Sequence, residues 1–412
     1  MTFASREIIL TSSSDSPITA YDPLSSTALA RFSGSRSPRH GLALAGNNLI
    51  AASHVSPNTA SSGFIQLYNW WSSAAFQCIH VPEPVAPIVA IPDGSYLFSG
   101  GISGRVYTFS LPSGDLCCSF QAHRQPVSCL AINEDSTLLI SGSDDGTISV
   151  FPILRLLDVS SGEHGAAQLV LYQFAAHNSA VTCIALGPGG CNPSIVSSSF
   201  DGTCKFWSIT DGAHLQTIQF PCPMWCITVD PSNSAAYAGG SDGRVYAIPM
   251  KRRWRRQGVE VEVWDAEPTG AVMSVAMVKG NKNLVSASEE GIIRIWEVES
   301  GSVAKVFGQE RSGTVSDLLV ANVFGSGRKK VEVAKCNGIS SQGLCEREIY
   351  RKVRDAEEME EWLGVVVKDR RRAINMLEVT IDTYERLLGL LLKEAKGGAV
   401  KEEECQYLDS SL

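Results

Sequence analysis

The feature that most constrains the fold of this chain is a short motif that recurs along most of its length. Each copy has an apolar run, a Ser/Gly-rich segment, an acidic residue before a turn glycine, and a second run that ends near an aromatic residue. An acidic residue followed by glycine favours a tight hairpin turn, because glycine adopts positive φ without steric cost. The clearest copies read LISGSDDGTISVFP, VSSSFDGTCKFWSITDG, YAGGSDGRVYAIP and LVSASEEGIIRIWEVESG.

The spacing of the turn glycines identifies the repeating unit. The glycines step by 41, 42, 56, 41 and 48 residues, and a period of about 40–45 residues with four strands per unit is typical of propeller blades. The longest step contains ILRLLDVSSGEHGAA, an insertion that we expect to project from one face. The turn glycines are Gly63, Gly104, Gly146, Gly202, Gly243 and Gly291.

Seven units can be aligned in this way, and the ends of the repeat region predict how the ring closes. The first unit has no inner strand before it, whereas the last is followed by TVSDLLVANV (314–323), an inner strand with no unit after it. We expect this segment to pair with the N-terminal strands, because that pairing removes an exposed sheet edge. The sequence therefore predicts an all-β, seven-bladed propeller over residues 5–323. The units centre on 12–23, 61–71, 100–112, 142–152, 196–212, 240–249 and 288–298.

One unit resembles the WD-repeat pattern almost completely. There His177, a strand serine (Ser197 or Ser198), Asp201 and Trp207 stand where that family has a buried hydrogen-bonded network, which stabilises as a connected set. His123 and Asp145 match in the preceding unit, but Phe151 replaces the tryptophan and cannot donate a hydrogen bond. We interpret these histidines as structural, and the first three units lack clear sets of this kind. The match in the two units that contain His177 and His123 predicts that the propeller is of the WD-repeat class.

Composition narrows the class of protein. The net charge is −8, so contact with nucleic acid would depend on local basic patches. No apolar run approaches the roughly 20 residues that span a bilayer, and the first residues do not resemble a signal peptide. Most of the 12 cysteines lie in apolar strand-like runs without zinc-ligand spacing, which favours reduced, structural thiols in an intracellular protein. We expect no metal and no cofactor.

The sharpest local charge is the segment KRRWRR, placed between the third and fourth strands of its unit. Three interpretations stay open: a solvated loop, a nuclear import signal, or an RNA contact in which the cations bind phosphate and the indole stacks on a base. The residues are Lys251, Arg252, Arg253, Trp254, Arg255 and Arg256.

Beyond the repeats, the composition becomes charged and typical of a helix. Apolar residues recur at alternating steps of 4 and 3 from residue 349 to residue 395, with only Glu360 and Arg370 polar among these positions. A sustained 3.5-residue period favours a coiled coil over a helix lying on the propeller's flank, which would have a wider apolar stripe. We predict a linker over 324–345, a coiled-coil helix over 346–396 and a disordered tail over 397–412. The seam includes Leu363, Val367, Ile374, Leu377, Ile381, Tyr384, Leu388 and Leu391.

No catalytic motif is found in the sequence. Nucleophile-elbow, P-loop and HExxH patterns are absent, and the glycines of GGSDGRVYAIP serve a hairpin and not a phosphate-binding helix terminus. We therefore expect a binding platform without catalytic residues.

Linked segments point to one family along nearly the full chain. The run LQTIQFPCPMWCITVDPSNSAAYAGGSDGRVYAIPM, the stretch GFIQLYNWW, the insertion after VFPILRLLD and the C-terminal helix together resemble the WD-repeat subunit of the Rix-type complex of pre-60S ribosome assembly, most closely its plant branch, called root initiation defective. The resemblance implies a non-enzymatic scaffold in the nucleus, nucleolus and nucleoplasm. It also implies partners: two helical-repeat subunits, an AAA-type remodelling ATPase and the pre-60S particle, with processing of the second internal transcribed spacer. It further implies dimerisation through the C-terminal helix.

Two other functions remain as alternatives. WD propellers also serve as substrate receptors of cullin-type ubiquitin ligases, but those usually carry an arginine two residues after a strand-ending Trp-Asp, and IWEVES, VWDAEP and FWSIT lack it. A chromatin or replication-licensing factor would use KRRWRR on DNA, and its binding would weaken with added salt.

Overall fold

Strands dominate the architecture. The computed structural model describes residues 5–324 except 35, 47–48, 55–61, 71, 112, 158–168, 189–193, 210–211, 251–260, 266, 268–269, 279–281 and 309–313. The described residues form seven four-stranded antiparallel sheets, so the predicted all-β, seven-bladed propeller is confirmed. KRRWRR, the predicted coiled-coil helix and the predicted tail lie outside the described residues.

Blades are numbered along the chain, and each is given from its inner strand outward. Blade 1 combines the last strand with the first three: β28 (Asp317–Phe324), β1 (Ser5–Ser12), β2 (Ile18–Tyr21) and β3 (Ala28–Phe32). Blade 2 contains β4 (Leu42–Ala45), β5 (Leu49–His54), β6 (Gly63–Asn69) and β7 (Gln77–Val81). Blade 3 contains β8 (Val85–Ala90), β9 (Tyr96–Gly101), β10 (Arg105–Ser110) and β11 (Leu116–Gln121).

The remaining four blades repeat the order of blades 2 and 3. Blade 4 contains β12 (Val127–Ile132), β13 (Leu138–Ser143), β14 (Thr147–Pro152) and β15 (Tyr172–Ala175). Blade 5 contains β16 (Val181–Leu186), β17 (Ser194–Ser199), β18 (Thr203–Ser208) and β19 (His214–Gln219). Blade 6 contains β20 (Met224–Val229), β21 (Ala235–Gly240), β22 (Val245–Pro249) and β23 (Glu262–Trp264). Blade 7 contains β24 (Val272–Val278), β25 (Asn283–Ser288), β26 (Ile293–Glu297) and β27 (Ser302–Phe307).

The inner strands surround the axis of the propeller, since each contacts the inner strand of the next blade around the whole ring. We call the face at which inner strands begin the upper face. Because successive strands are antiparallel, the turns between second and third strands also lie there. The connections between first and second strands, and between third and fourth strands, lie on the opposite, lower face.

Apolar side chains fill the space between neighbouring blades. Between blades 4 and 5, for example, Ile140 and Val150 of one sheet pack with Val181, Ile184 and Trp207 of the next. Each such side chain contributes roughly 1.5–3 kcal/mol by its burial. The insertion after β14 is anchored in the same way: it opens with a short helix, α1 (Ile153–Leu157), whose buried residues join the core between blades 3 and 4.

The ring closes within blade 1. Strand β28 pairs with β1 in antiparallel register from Ser5↔Phe324 to Ser12↔Asp317. The prediction that the last apolar segment pairs with the N-terminal strands is therefore confirmed. This pairing joins the two ends of the described chain and leaves β1 paired on both sides, with β28 as the innermost strand of blade 1.

Candidate functional site

The most connected polar group lies in blade 5, around His177. The loop before β16 supplies His177, whose Nε2 lies 2.8 Å from Ser197 Oγ. Its Nδ1 lies 3.0 Å from Thr203 Oγ1 and 3.1 Å from Asp201 Oδ2. Trp207 donates its indole N–H to the same serine oxygen at 3.1 Å, so the network runs from the third strand across the blade to the turn.

The hydrogen-bond directions of this network fix the state of the histidine. Thr203 donates its hydroxyl to Asp201 Oδ1 at 2.5 Å, which leaves its oxygen to accept from His177 Nδ1–H. Ser197 accepts from Trp207 and donates to His177 Nε2. A neutral imidazole with its proton on Nδ1 satisfies every group. Burial lowers the pKa of His177 to about 4, with Asp201 opposing the shift, so the ring is neutral near pH 7.

His177 also connects two blades. The backbone N–H of His177 donates to Gly146 O, in the turn of blade 4, at 3.0 Å, while its side chain enters blade 5. Gly146 has φ +77, and a Cβ there would lie 2.4 Å from the His177 carbonyl oxygen. Only glycine allows this approach. The turn glycine and the following histidine are therefore parts of one joint between blades.

The blade 4 network lacks the tryptophan, and its histidine and aspartate are linked through a threonine, since His123 Nδ1 lies 3.9 Å from Asp145 Oδ1. His123 Nε2 lies 2.7 Å from Ser141 Oγ, and its Nδ1 lies 2.7 Å from Thr147 Oγ1. Thr147 donates to Asp145 Oδ1 at 2.6 Å, and Asp145 also accepts the backbone N–H of Arg124. Burial lowers the pKa of His123 to about 4.

One serine position shows how the network changes from blade to blade. Ser197 contacts both a histidine and a tryptophan, Ser141 contacts only a histidine, and Ser286 contacts only Trp296, at 2.8 Å. In blade 3, Phe109 stands where the tryptophan would be, and the fully buried Ser99 Oγ has no hydrogen-bond partner among the described residues. A buried hydroxyl without a partner costs free energy.

Blade 3 replaces the histidine network by a glutamate. Glu83 accepts from Ser103 Oγ at 2.6 Å and from Tyr107 Oη at 2.8 Å. Burial and the hydrogen bond to Glu83 raise the pKa of Tyr107. Blade 6 uses a related pair, in which Tyr246 donates to Asp242 at 2.7 Å. These substitutions are the reason that the sequence pattern was weak in blade 3.

The structure brings together all six residues for which a network was expected, in two groups. Of the two serines considered, Ser197 contacts the histidine, while Ser198 lies 2.9 Å from Thr182 Oγ1. Sequence reasoning missed Thr147 and Thr203, although both directly follow an acidic residue and glycine. It also missed Glu83 and Tyr107, which no WD-repeat signature marks. The basic segment and the seam residues of the tail lie outside the described residues.

A groove lies beside the blade 4 network. It has a volume of about 520 Å³ and lies on the upper side of blades 3 and 4. Its walls combine a cation, a carboxylate, amides and an aromatic ring, which suits recognition of a mixed polar and apolar segment. The lining includes Gln121, Arg124, Asp145, Thr147, Gln173 and Phe174.

Two other kinds of site were sought in the described residues. No group of three or more His, Cys, Asp or Glu side chains there is arranged to hold a metal ion. None of the helices in that part of the chain has the length and apolar character needed to cross a membrane. The eight cysteines described are all free thiols.

Comparison with known proteins agrees with this geometry. The family described as "WD domain, G-beta repeat" matches residues 114–151, 169–208 and 258–297. The chain is 34% identical over 293 residues to Protein ROOT INITIATION DEFECTIVE 3 of Arabidopsis thaliana, an alignment that covers 71% of this chain. The chain belongs to the root initiation defective family of WD-repeat proteins. The chain is also similar to proteins of fungi and animals.

Two less similar relatives come from a fungus and from an animal. Pre-rRNA-processing protein crb3/ipi3 of Schizosaccharomyces pombe is 29% identical over 227 residues, covering 54% of this chain. WD repeat-containing protein 18 of Homo sapiens is 25% identical over 308 residues, covering 72% of this chain. The matched region spans 66% of the Arabidopsis protein's length, 49% of the fission yeast protein's and 68% of the human protein's.

Proposed function

We propose that this protein is a non-enzymatic scaffold subunit of a Rix-type complex in assembly of the 60S ribosomal subunit, acting in processing of the second internal transcribed spacer of pre-rRNA. The observation that carries the proposal is the 34% identity to the root initiation defective protein over 293 residues, together with the relatives whose names state pre-rRNA processing. Partners are the helical-repeat subunits, the AAA-type ATPase and the pre-60S particle, and the site of action is the nucleolus and nucleoplasm.

The chemistry of the described polar groups supports a scaffold. The lone pairs and protons of His177 and His123 are used within their own networks. Burial lowers the pKa of each to about 4. A general base that works near neutral pH needs a pKa near 7 and an accessible nitrogen. These imidazoles instead hold blades together, which suits a rigid surface for partners.

The strands that adjoin the basic segment and the predicted coiled coil in the sequence end on the lower face. Strand β22 ends, and β23 begins, on the lower face, and these strands flank the basic segment Lys251–Arg256 in the sequence. Strand β28 also ends on the lower face, at Phe324, and the sequence predicted as a coiled coil follows it. We therefore propose RNA contact for the basic segment between β22 and β23, and self-association for the predicted coiled-coil sequence that follows β28.

The first test is purification of the tagged protein from cells, with sequencing of the RNA that accompanies it. We expect enrichment of precursors that retain the second internal spacer, together with 60S proteins. Recovery of cullin adaptors or replication proteins without spacer RNA would contradict the proposal and favour one of the two alternative functions.

A second test separates import from RNA contact at the basic segment. The variant carries Arg252→Gln, Arg253→Gln, Arg255→Gln and Arg256→Gln, and is compared with a control that neutralises four cations off the coiled-coil seam, Lys368, Arg371, Arg372 and Arg386. An import signal predicts cytoplasmic accumulation that an added nuclear signal restores. An RNA contact predicts nuclear protein with weaker, less salt-dependent binding to spacer RNA. A variant that behaves as the control in both assays would leave the segment as a solvated loop.

A further inference from the structure

An arginine side chain from the loop between β3 and β4 extends across the axis of the propeller. Arg39 precedes the inner strand of blade 2, yet its Nη2 donates to the carbonyl oxygen of Thr182 in blade 5 at 3.2 Å and to that of Trp225 in blade 6. Blades 5 and 6 lie on the far side of a seven-bladed ring from blade 2. The side chain therefore spans the upper mouth of the central channel.

The far wall of the channel is shaped for a planar cation. The guanidinium carbon of Arg39 lies 4.9 Å from the ring centroid of Trp225, within the range of a cation–π interaction. The indole is held by Phe200, whose ring packs edge-on with centroids 4.6 Å apart. Both carbonyl oxygens accept from the single atom Nη2, and Arg39 Nε has no hydrogen-bond partner among the described residues. The indole face beneath the guanidinium is therefore the feature that favours a flat guanidinium over a spherical ammonium.

Hydrogen bonds on both sides of the channel fix the base of the loop. His40 donates from its ring Nε2 to Thr182 O at 2.9 Å, and its own carbonyl oxygen accepts from Ile88 N at 2.9 Å. Ser37 is tied by backbone and side-chain hydrogen bonds to Gly41, Ser13 and Ser316. His40 adopts φ 55, a left-handed conformation that costs free energy in a residue other than glycine. The surrounding hydrogen bonds hold the loop in this conformation. They thereby fix the backbone from which the Arg39 side chain extends across the channel.

The electrostatic surroundings favour a cation here. Asp317, at the start of β28, is buried and lies within the electrostatic reach of Arg39. Its carboxylate bonds to Ser274 Oγ at 3.3 Å and to the backbone N–H of Leu318 at 2.8 Å. Burial raises the pKa of Asp317 to about 6, and the charge of Arg39 opposes that shift.

We infer that the upper mouth of the channel is a guanidinium-binding site that the chain fills with its own Arg39, so that this side chain braces the ring across its axis. The site is made by the carbonyl oxygens of Thr182 and Trp225 and by the indole face of Trp225. Arg39 joins blade 2 to blades 5 and 6 directly, in addition to the contacts between neighbouring blades. An arginine of another protein cannot enter this site while Arg39 occupies it.

The test uses the full chain with Arg39→Ala and, as a matched control, Arg36→Ala. Arg36 lies in the same loop and is exposed, so its replacement removes the same charge without emptying the channel. Thermal unfolding is followed at a fixed scan rate, with ethylguanidinium or ethylammonium added at equal low millimolar concentrations. We expect Arg39→Ala to melt about 2–4 °C below Arg36→Ala. We expect ethylguanidinium, and not ethylammonium, to raise its midpoint in a saturable way.

Two results would overturn the inference. One is an equal midpoint for Arg39→Ala and Arg36→Ala, which would mean that the arginine does not brace the ring. The other is an equal response of Arg39→Ala to both additives, which would mean that the emptied mouth does not recognise a guanidinium. If Arg39→Ala does not fold, Arg39→Lys serves instead: it keeps the charge, and a midpoint equal to that of the wild type would reject the site.

Discussion

At the scale of single residues, the polar networks explain which side chains stabilise a blade. The serine at the centre of blade 5 has both a histidine and a tryptophan, while its counterpart in blade 3 has no partner among the described residues. Hydrogen bonding in the interior is asymmetric: a satisfied pair adds little, but an orphaned group costs its full desolvation. The same side chain is therefore stabilising in one blade and unfavourable in another.

We predict that a serine-to-alanine substitution changes the free energy of unfolding differently at these two sites. Ser197→Ala leaves the Trp207 N–H and His177 Nε2 without their partner and should lower the free energy of unfolding by about 1–3 kcal/mol. Ser99→Ala removes a hydroxyl that has no partner in the described structure, so it should be neutral or stabilising. Urea midpoints of the two variants, compared at an unchanged slope, measure the difference. Equal losses of stability in both variants would contradict the network.

The pH dependence of stability follows from the neutral histidines. The pKa of His177 is about 4 in the folded chain, against about 6.5 when unfolded. Between these values the unfolded chain binds a proton that the folded chain does not, so stability is full above pH 6.5 and falls as pH drops toward 4. The lowered pKa corresponds to at most about 3 kcal/mol.

We therefore predict that His177→Gln weakens the protein at pH 7.5 and that its deficit relative to the wild type shrinks by about 2 kcal/mol at pH 5. Urea unfolding at the two pH values gives both quantities. His80→Gln serves as the control, since that histidine is exposed and lies on β7 in blade 2, away from this network. A deficit for His177→Gln that stays constant with pH would show that the ring is charged in the folded chain.

At the scale of strands and blades, the repeat period predicted most of the fold, and the reason is geometric. Each turn glycine marks the crossing between the second and third strands, and an apolar inner strand occurs once per unit, so the ring and its closing strand followed from spacing. Arg39 could not be found in this way, because nothing in the sequence relates that loop to Thr182 or Trp225. The networks of blades 3 and 6 were also missed, since Tyr107 and Tyr246 replace the family's residues with different chemistry.

The closing strand gives a prediction at this scale. A chain ending at residue 324 retains β28, whereas a chain ending at residue 316 loses it and leaves β1 with one edge unpaired. We expect the longer fragment to unfold cooperatively and the shorter one to bind a hydrophobic dye and aggregate. Calorimetry and light scattering of the two fragments test this. A shorter fragment that stays monomeric and cooperative would show that six complete blades suffice.

At the scale of the whole molecule, we propose that the seam of the predicted coiled coil mediates self-association. We expect the full chain to be a dimer and Leu377→Asp to be a monomer, because a carboxylate in an apolar seam is costly. Asn375→Asp adds the same charge off the seam and should remain dimeric. Sedimentation measures the mass of each. A wild-type monomer would favour a seam completed by another subunit.

The pairing of Ser5 with Phe324 also fixes the order of events during synthesis. Protein synthesis proceeds at about 5–20 residues per second, so the first strand waits roughly 15–60 seconds for its partner. Throughout that time the hydrogen-bonding groups on one side of β1 face solvent or a chaperone. Every later blade finds its own strands within seconds of their synthesis. Premature termination anywhere before residue 317 therefore yields a product that exposes its oldest strand, and cells must remove or shield it.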